Sequence, residues 1–337
     1  MQSGDKKQFP RGSVCRSCVD SLVSVSHQTL PPVFILGIRP RSGTNFLWDL
    51  LRLHPHLSAP RAPVNEDFLV KHSDHLARYA ADVRKHWKKW DRSDDIPNEI
   101  LAALGRGMLD FMQDGTDKRL ITKTPTVVNL KNFHALFPQA QLILLVRDGR
   151  AVVDSGMRSF GWDLDTAAHR WKVAADEIRR FEKSEVRPYH LVRYEELLHD
   201  LEGTIKQILG FLDLDIAAYD FDGATTLPVR GSSTFHRRTG HKVSWSPVAK
   251  TENFDPAARW KQWDEGMMRR FDYIAGDRLQ YFGYEPTSYP LPARTLLEQK
   301  ALDARWYLMR GVRGTRKRTN KRMGKNKKDS NKAAISA

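Results

Sequence analysis

The sequence predicts an α/β protein with a mainly parallel central sheet flanked by helices, and three observations lead there. Apolar runs of strand length, Val33 to Ile38 and Gln141 to Val146, alternate with segments whose apolar residues recur at helical spacing. Each run passes directly into a polar loop, Arg39-Pro-Arg-Ser-Gly-Thr-Asn45 after the first and Arg147-Asp-Gly-Arg150 after the second. Ligands of such sheets gather outside the carboxyl ends of the strands, which is where these loops fall.

Taken in order, residues 1–30 mix Ser, Lys, Gln and Gly without periodicity and read as an irregular lead-in. Pro31 and Pro32 punctuate the start of the first strand, whose unbroken apolar run suits burial on both faces. From Phe46 a helix is expected, because Phe46, Leu47, Leu50 and Leu51 share one face. Gly43 lets backbone approach a ligand, and Ser42 or Thr44 is placed to cap that helix. The helix start then offers free N–H groups and a positive dipole end to an anion. His54-Pro55-His56 stops it, since proline cannot continue the hydrogen-bond ladder.

A polar connection through Pro60 and Pro63 carries Asn65-Glu66-Asp67, after which Phe68–Trp90 and Pro97–Met112 return to helical patterning. Arg119 to Pro125 reads as a short strand delivering Lys123 to its C-terminal end, with Pro125 close to the next helix. Beyond Gln141–Val146 a helix is expected from Ala151 to about Met157, then a weaker strand over Tyr189–Tyr194 and a helix over Leu201–Leu214. Residues 222–253, rich in Gly, Ser, Thr and His, read as a long functional loop. Asp255–Tyr281 is expected to be helical, with Trp260, Trp263, Met267, Phe271, Ile274 and Leu279 inward, and Leu296–Arg310 to form a last amphipathic helix. The expected organisation is therefore a lead-in over 1–30, one catalytic domain over 31–290, a helix over 291–310 and a disordered basic tail over 311–337.

Composition narrows the classes of function. The net charge is +15, but residues 311–337 hold ten Lys and Arg against one Asp, which leaves only +6 on the rest. A mildly basic body speaks against nucleic acid as the main partner and suits an anionic cofactor. The tail is suited to a polyanion, although it has no interleaved aromatics for stacking on bases. The two cysteines, Cys15 and Cys18, do not complete a four-ligand zinc site, and no metal is expected. Neither a membrane-length apolar run nor a signal-type segment opens the chain, so a soluble, cytoplasmic protein is expected.

The strand, glycine loop and helix first suggest a nucleotide kinase, but the spacing disagrees. A triphosphate loop needs a lysine directly after its second glycine and a hydroxyl after that. Here Gly37 and Gly43 stand one residue too far apart, Thr44 occupies the lysine position, and the cation Arg41 precedes the glycine. Such a loop grips a phosphate without the equipment for a magnesium-bound triphosphate.

Strand, Arg41-Ser-Gly-Thr-Asn45, then helix resembles the 5′-phosphosulfate loop of the PAPS-dependent sulfotransferases. A second match is independent of it: LVRDGRAVVDS carries Arg147 and, eight residues later, Ser155, the spacing with which that family reads the cofactor 3′-phosphate. The physical sense is a forked donor and a hydroxyl on one dianion. In VRYEEL, Tyr194 resembles the adenine-side tyrosine; in ITKTP, Lys123 resembles the lysine that tyrosylprotein sulfotransferases place near the transferring group. RGSST resembles their RSS segment, which gives Ser232 or Ser233 a cofactor contact and Ser233 a catalytic role, and Arg259-Trp260 resembles a basic-aromatic pair after it.

The resemblance, closest to the tyrosylprotein and Golgi carbohydrate branch, implies a P-loop-like sulfotransferase fold and transfer of a sulfuryl group from PAPS, with PAP as product. It implies cofactor contacts from Arg41, Ser42, Gly43, Thr44, Asn45, Arg147, Ser155, Tyr194, Ser232 and Ser233. Arg41 and Lys123 would stabilise the leaving oxygen, and Glu66 would be the base toward a hydroxyl of a carbohydrate, peptide tyrosine or metabolite. Asp67, His54, His56, His236 and His241 are the competing bases. A nucleotide kinase and a catalytically silent PAP- or polyanion-binding relative are the alternatives.

Overall fold

Among the described residues five strands form one parallel sheet in the order β2-β3-β1-β4-β5. They are β1 (Val33–Gly37), β2 (Leu57–Ser58), β3 (Arg119–Thr124), β4 (Gln141–Val146) and β5 (Tyr189–Arg193). The computed structural model describes residues 30–61, 66–87, 95–184, 187–228 and 256–309, and a compact unit begins at Pro31. The helices in chain order are α1 (Thr44–Leu51), α2 (Ser73–Trp87), α3 (Ile96–Met112), α4 (Phe133–Leu136), α5 (Gly149–Phe160), α6 (Leu164–Ser184), α7 (Tyr194–His199), α8 (Leu201–Phe211), α9 (Phe221–Thr226), α10 (Glu265–Tyr281) and α11 (293–309).

Strand β1 is central because all five of its residues are apolar or glycine and fully buried. Alternate side chains supply two cores. Phe34 and Leu36 face α4, α5, α6 and α10, with Phe133, Val152, Trp171 and Phe271 as partners. Val33 and Ile35 face α1 and α8, with Phe46, Leu50, Ile205 and Ile208. The chain runs from β1 outward to β2 and β3 on one side, then crosses to β4 and β5 on the other. The reversal leaves a crevice at the carboxyl end of β1, where such sheets hold ligands.

Local chemistry sets the element ends around this crevice. Gly43 is the N-cap of α1 in the left-handed region, at φ 95°, and no side chain caps that helix. The cap expected from Ser42 or Thr44 is therefore corrected: the Ser42 hydroxyl donates instead to the Arg39 carbonyl. Helix α5 starts two residues earlier than expected because the Asp148 carboxylate accepts the Arg150 N–H at 2.8 Å. It continues to Phe160, stopped by Gly161 at φ 59°.

Other expectations shift as well. Pro125 does not open a helix; a 3-10 turn at Leu130 and then α4 follow several residues later. Tyr194 begins α7 rather than ending β5. Within the expected long loop, residues 221–226 are helical, capped by Asp220, and residues 229–255 lie outside the described residues. Helix α10 starts at Glu265, where Asp264 caps it, and Arg259–Gln262 form a separate 3-10 turn. The longest helix, α6, has no counterpart in the expected elements. The lead-in, the Cys15–Cys18 pair and the basic tail also lie outside the described residues. Among those described, no helix is long and apolar enough to cross a membrane.

Candidate active site

The loop after β1 folds back on itself before α1 begins. The Ile38 N–H donates to the Leu145 carbonyl at 2.9 Å, so the loop leaves the sheet beside β4. Ser42 is fully buried, with its N–H on the Arg39 carbonyl at 3.1 Å and its hydroxyl accepting the Arg39 N–H at 3.2 Å. Arg41 stands at φ 81°, uncommon for a residue with a Cβ. At Gly43 a Cβ would lie 2.3 Å from the Tyr194 ring. Glycine is thus required twice there, by its φ and by the tyrosine at the start of α7 that lies against it.

Cations from three elements meet above this loop. The Arg41 Nε–H donates to Ser155 Oγ on α5 at 2.9 Å. Arg147, leaving β4, donates to the Arg41 carbonyl at 2.6 Å and to the Pro256 carbonyl at 2.7 Å, and its guanidinium lies 4.5 Å from the Tyr194 ring centroid. The buried Nε of Arg147 finds no hydrogen-bond partner among the described residues, nor does Asn45 Oδ1. Burial, then the charges of Arg147 and Arg259, lower the Arg41 guanidinium to about 10. Cations gathered this way favour an anion between them.

These groups wall a cavity of about 530 Å³, completed by Glu66, Phe68, Lys71 and Phe160 among others. Two tryptophans hold the segment that brings Pro256 and Arg259 to it. Arg150, ion-paired to Asp148 at 2.7 Å and buried, lies 3.7 Å from the Trp260 ring centroid. The Trp263 indole N–H donates to the Asp154 carboxylate at 3.0 Å. Both contacts run from α5 and pin the segment that carries Pro256 and Arg259 to the cavity.

The carboxylates Glu66 and Asp67 part company. Asp67 accepts from Thr124 Oγ1 at 2.7 Å, Thr122 Oγ1 at 2.8 Å and the Leu69 N–H at 2.9 Å. It is spent on fastening the connection to β3. Glu66 lines the cavity, half-buried; burial raises its pKa above the ordinary value, and the charge of Lys123 opposes that rise. Lys123 is buried outside the cavity lining, its ammonium 5.5 Å from the Trp48 ring centroid. His54 is engaged at both nitrogens: Nε2–H donates to the Asp215 carbonyl at 3.0 Å and Nδ1 accepts the His56 N–H at 3.2 Å. That arrangement fixes a neutral, structural imidazole and leaves Glu66 as the carboxylate facing the cavity.

The structure brings together Arg41, Gly43, Thr44, Asn45, Glu66, Arg147, Ser155 and Tyr194 around one cavity. Ser42 is packed beneath the loop, and Ser232, Ser233, His236 and His241 lie outside the described residues. Arg39, Lys71 and Phe160 were not anticipated as site residues. Arg39 shares its loop with Arg41 and was within reach of a motif reading, whereas Lys71 and Phe160 meet the site only through the fold.

Residues 31–218 match the sequence profile of the sulfotransferase family. Protein-tyrosine sulfotransferase A of Caenorhabditis elegans is 25% identical over 284 residues, which span 78% of this chain and 70% of that protein. The protein-tyrosine sulfotransferase of Drosophila melanogaster is 23% identical over 295 residues, 78% of this chain and 54% of that one, so the chain spans about half the length of that relative. Among solved structures, the sulfotransferase domain of the Synechococcus PCC 7002 olefin synthase aligns with a TM-score of 0.47 at 22% identity, over 78% of this chain and 96% of its own. A mouse sulfotransferase solved with PAP aligns at 0.38 and 13% identity, over 74% and 84%.

Proposed function

The chain belongs to the sulfotransferase family, and from that premise we propose that it transfers a sulfuryl group from PAPS to a hydroxyl of an acceptor. The observation that carries this reading is the junction of two sequence motifs over one hundred residues apart: Arg41 of the first donates to Ser155 of the second at 2.9 Å, and both line one cavity.

The residues present suit PAPS. Its two anionic ends call for clustered cations, and Arg41, Arg147 and Arg259 line the cavity. The buried Arg147 Nε, without a partner among the described residues, is a donor awaiting an acceptor. The first turn of α1 leaves backbone N–H groups without intrahelical partners, which suits a phosphate. In this reading Arg147 and Ser155 hold the 3′-phosphate, the Arg41–Asn45 loop holds the 5′-phosphosulfate end, and Tyr194 lies on the adenine side. When bound, PAPS supplies the sulfuryl group and a phosphate oxygen as the leaving atom.

The chain itself handles the proton and the charge. Glu66, in its carboxylate form, accepts the proton of the acceptor hydroxyl. Its raised pKa makes it a stronger base than an exposed carboxylate would be. Arg41, on the cavity wall, stabilises negative charge on the leaving oxygen, while Lys123, buried beside Trp48 outside the lining, acts on the site through its charge on Glu66. A carbohydrate, a peptide tyrosine and a small metabolite all offer the required hydroxyl. Incubation with PAPS and a panel of these acceptors tests the proposal. Acceptor-dependent PAP release without ATP is expected; PAP binding without any such release across the panel would instead identify a silent relative.

A further inference from the structure

A second cavity of about 480 Å³ adjoins the first, and Arg39, Thr126 and Val128 line both. Its walls are mainly apolar, from Val127 and Val173 on either side to Trp306 and Tyr307 of α11. The aromatic wall is anchored. Arg270 joins Asp165 of α6 at 2.8 Å to Asp303 of α11 at 2.6 Å, and His169 stacks on Trp306 with ring centroids 4.1 Å apart.

Charge is set unevenly around this space. Arg39 and Arg170 both line it, and the Arg39 guanidinium is lowered to about 10, by burial first and by the charge of Arg170 second. Glu177 also lines the cavity, but its carboxylate is engaged by Arg180 at 2.5 Å, and that of Asp303 is shared by Arg270 and His169. A half-buried guanidinium, Arg39, and an exposed one, Arg170, on the wall of one mainly apolar chamber favour a ligand with an apolar body and one anionic group.

We infer that this second cavity is the acceptor site, built for a hydroxylated carboxylate with an apolar body: the body packs against Val173 and Trp306, the anion meets Arg39 and Arg170, and the hydroxyl points across Thr126 and Val128 toward Glu66. The inference rests on the sulfotransferase reading for its direction, but the pairing of apolar chamber with cation pair stands by itself. It selects against neutral alcohols of equal size, because they offer the half-buried Arg39 no opposite charge.

Calorimetric titration of the full chain with para-hydroxyphenylacetate and with its methyl ester tests this, with and without saturating PAP. The carboxylate is expected to bind about tenfold more tightly than the ester, as for a hydrogen-bonded charge. Arg170→Ala should erase that difference, and Val173→Trp, at an exposed position, should weaken both ligands by filling the chamber. Equal binding of the pair, a preference that survives Arg170→Ala, or no binding of either would overturn the inference. PAP is titrated into the same samples. Intact PAP binding without the preference removes the acceptor site alone, whereas a preference without PAP binding upholds the anion site and removes the sulfotransferase reading.

Discussion

The Arg41 side chain crosses from the loop after β1 to donate its Nε–H to Ser155 Oγ on α5, at 2.9 Å. Two strand ends on either side of the sheet's reversal are thereby joined through the groups expected to bind nucleotide. Ser155→Ala removes the acceptor of this bond and a hydroxyl facing the cavity. PAP affinity should fall about tenfold, in line with a hydrogen bond to a charged group, while thermal stability changes little. Calorimetry alongside a thermal melt separates the two.

Gly43 is the position where the loop tolerates no side chain, given φ 95° and a Cβ site 2.3 Å from the Tyr194 ring. Gly43→Ala should displace Tyr194, abolish measurable PAP binding and cost about 1–3 kcal/mol of stability. Gly107→Ala is the control. Its added Cβ meets nothing within 4 Å inside α3, and it should be neutral or stabilising. Denaturant unfolding of both variants reads the contrast.

Glu66→Gln should lower kcat by about two to four orders of magnitude with PAP affinity unchanged, as for loss of a general base. The pH profile carries a sign. A base acts when deprotonated, so activity falls as pH drops through the Glu66 pKa, and burial moves that fall upward from the ordinary glutamate value. The Gln variant should lack this acid limb. If it keeps both the limb and the turnover, the proton is taken by another group.

The segment that carries Pro256 and Arg259 is held by α5. Trp260→Ala removes the face on which Arg150 stacks at 3.7 Å, an interaction of about 0.5–2 kcal/mol. Since Trp260 neighbours Arg259 on the segment from Pro256, nucleotide binding should weaken more than global stability. Parallel PAP titration and thermal melts check this; equal losses in both would reduce Trp260 to a packing residue.

What could be read from the chain divides along local and non-local lines. Strands β1 and β4 announce themselves by continuous apolar runs, and the residues that follow them, Arg41 to Asn45 and Arg147 to Ser155, stay beside the elements that carry them. Helix α6 escaped because its buried stripe is largely alanine: Ala167, Ala168, Ala174 and Ala175 join Trp171, Ile178 and Phe181. Alanine is a weak hydrophobic signal even where it packs closely. Strand β2 is two residues long, below any periodicity. In the sequence only the resemblance prefers Glu66 to the adjacent Asp67; in the fold the Thr122 and Thr124 hydroxyls on β3 and the Leu69 N–H engage Asp67 and separate the two. Lys71 joins the cavity across the fold, from a 3-10 turn whose sequence carries no such mark.

The most direct measurement is calorimetric titration of PAP against ATP on the wild-type chain and on Arg147→Ala. Wild type is expected to bind PAP and to discriminate against ATP, and Arg147→Ala should lose about tenfold or more in PAP affinity, as for a forked contact to a dianion. ATP binding as tightly as PAP, or an Arg147→Ala variant that binds PAP as well as wild type, would contradict the assignment of this cavity to PAPS.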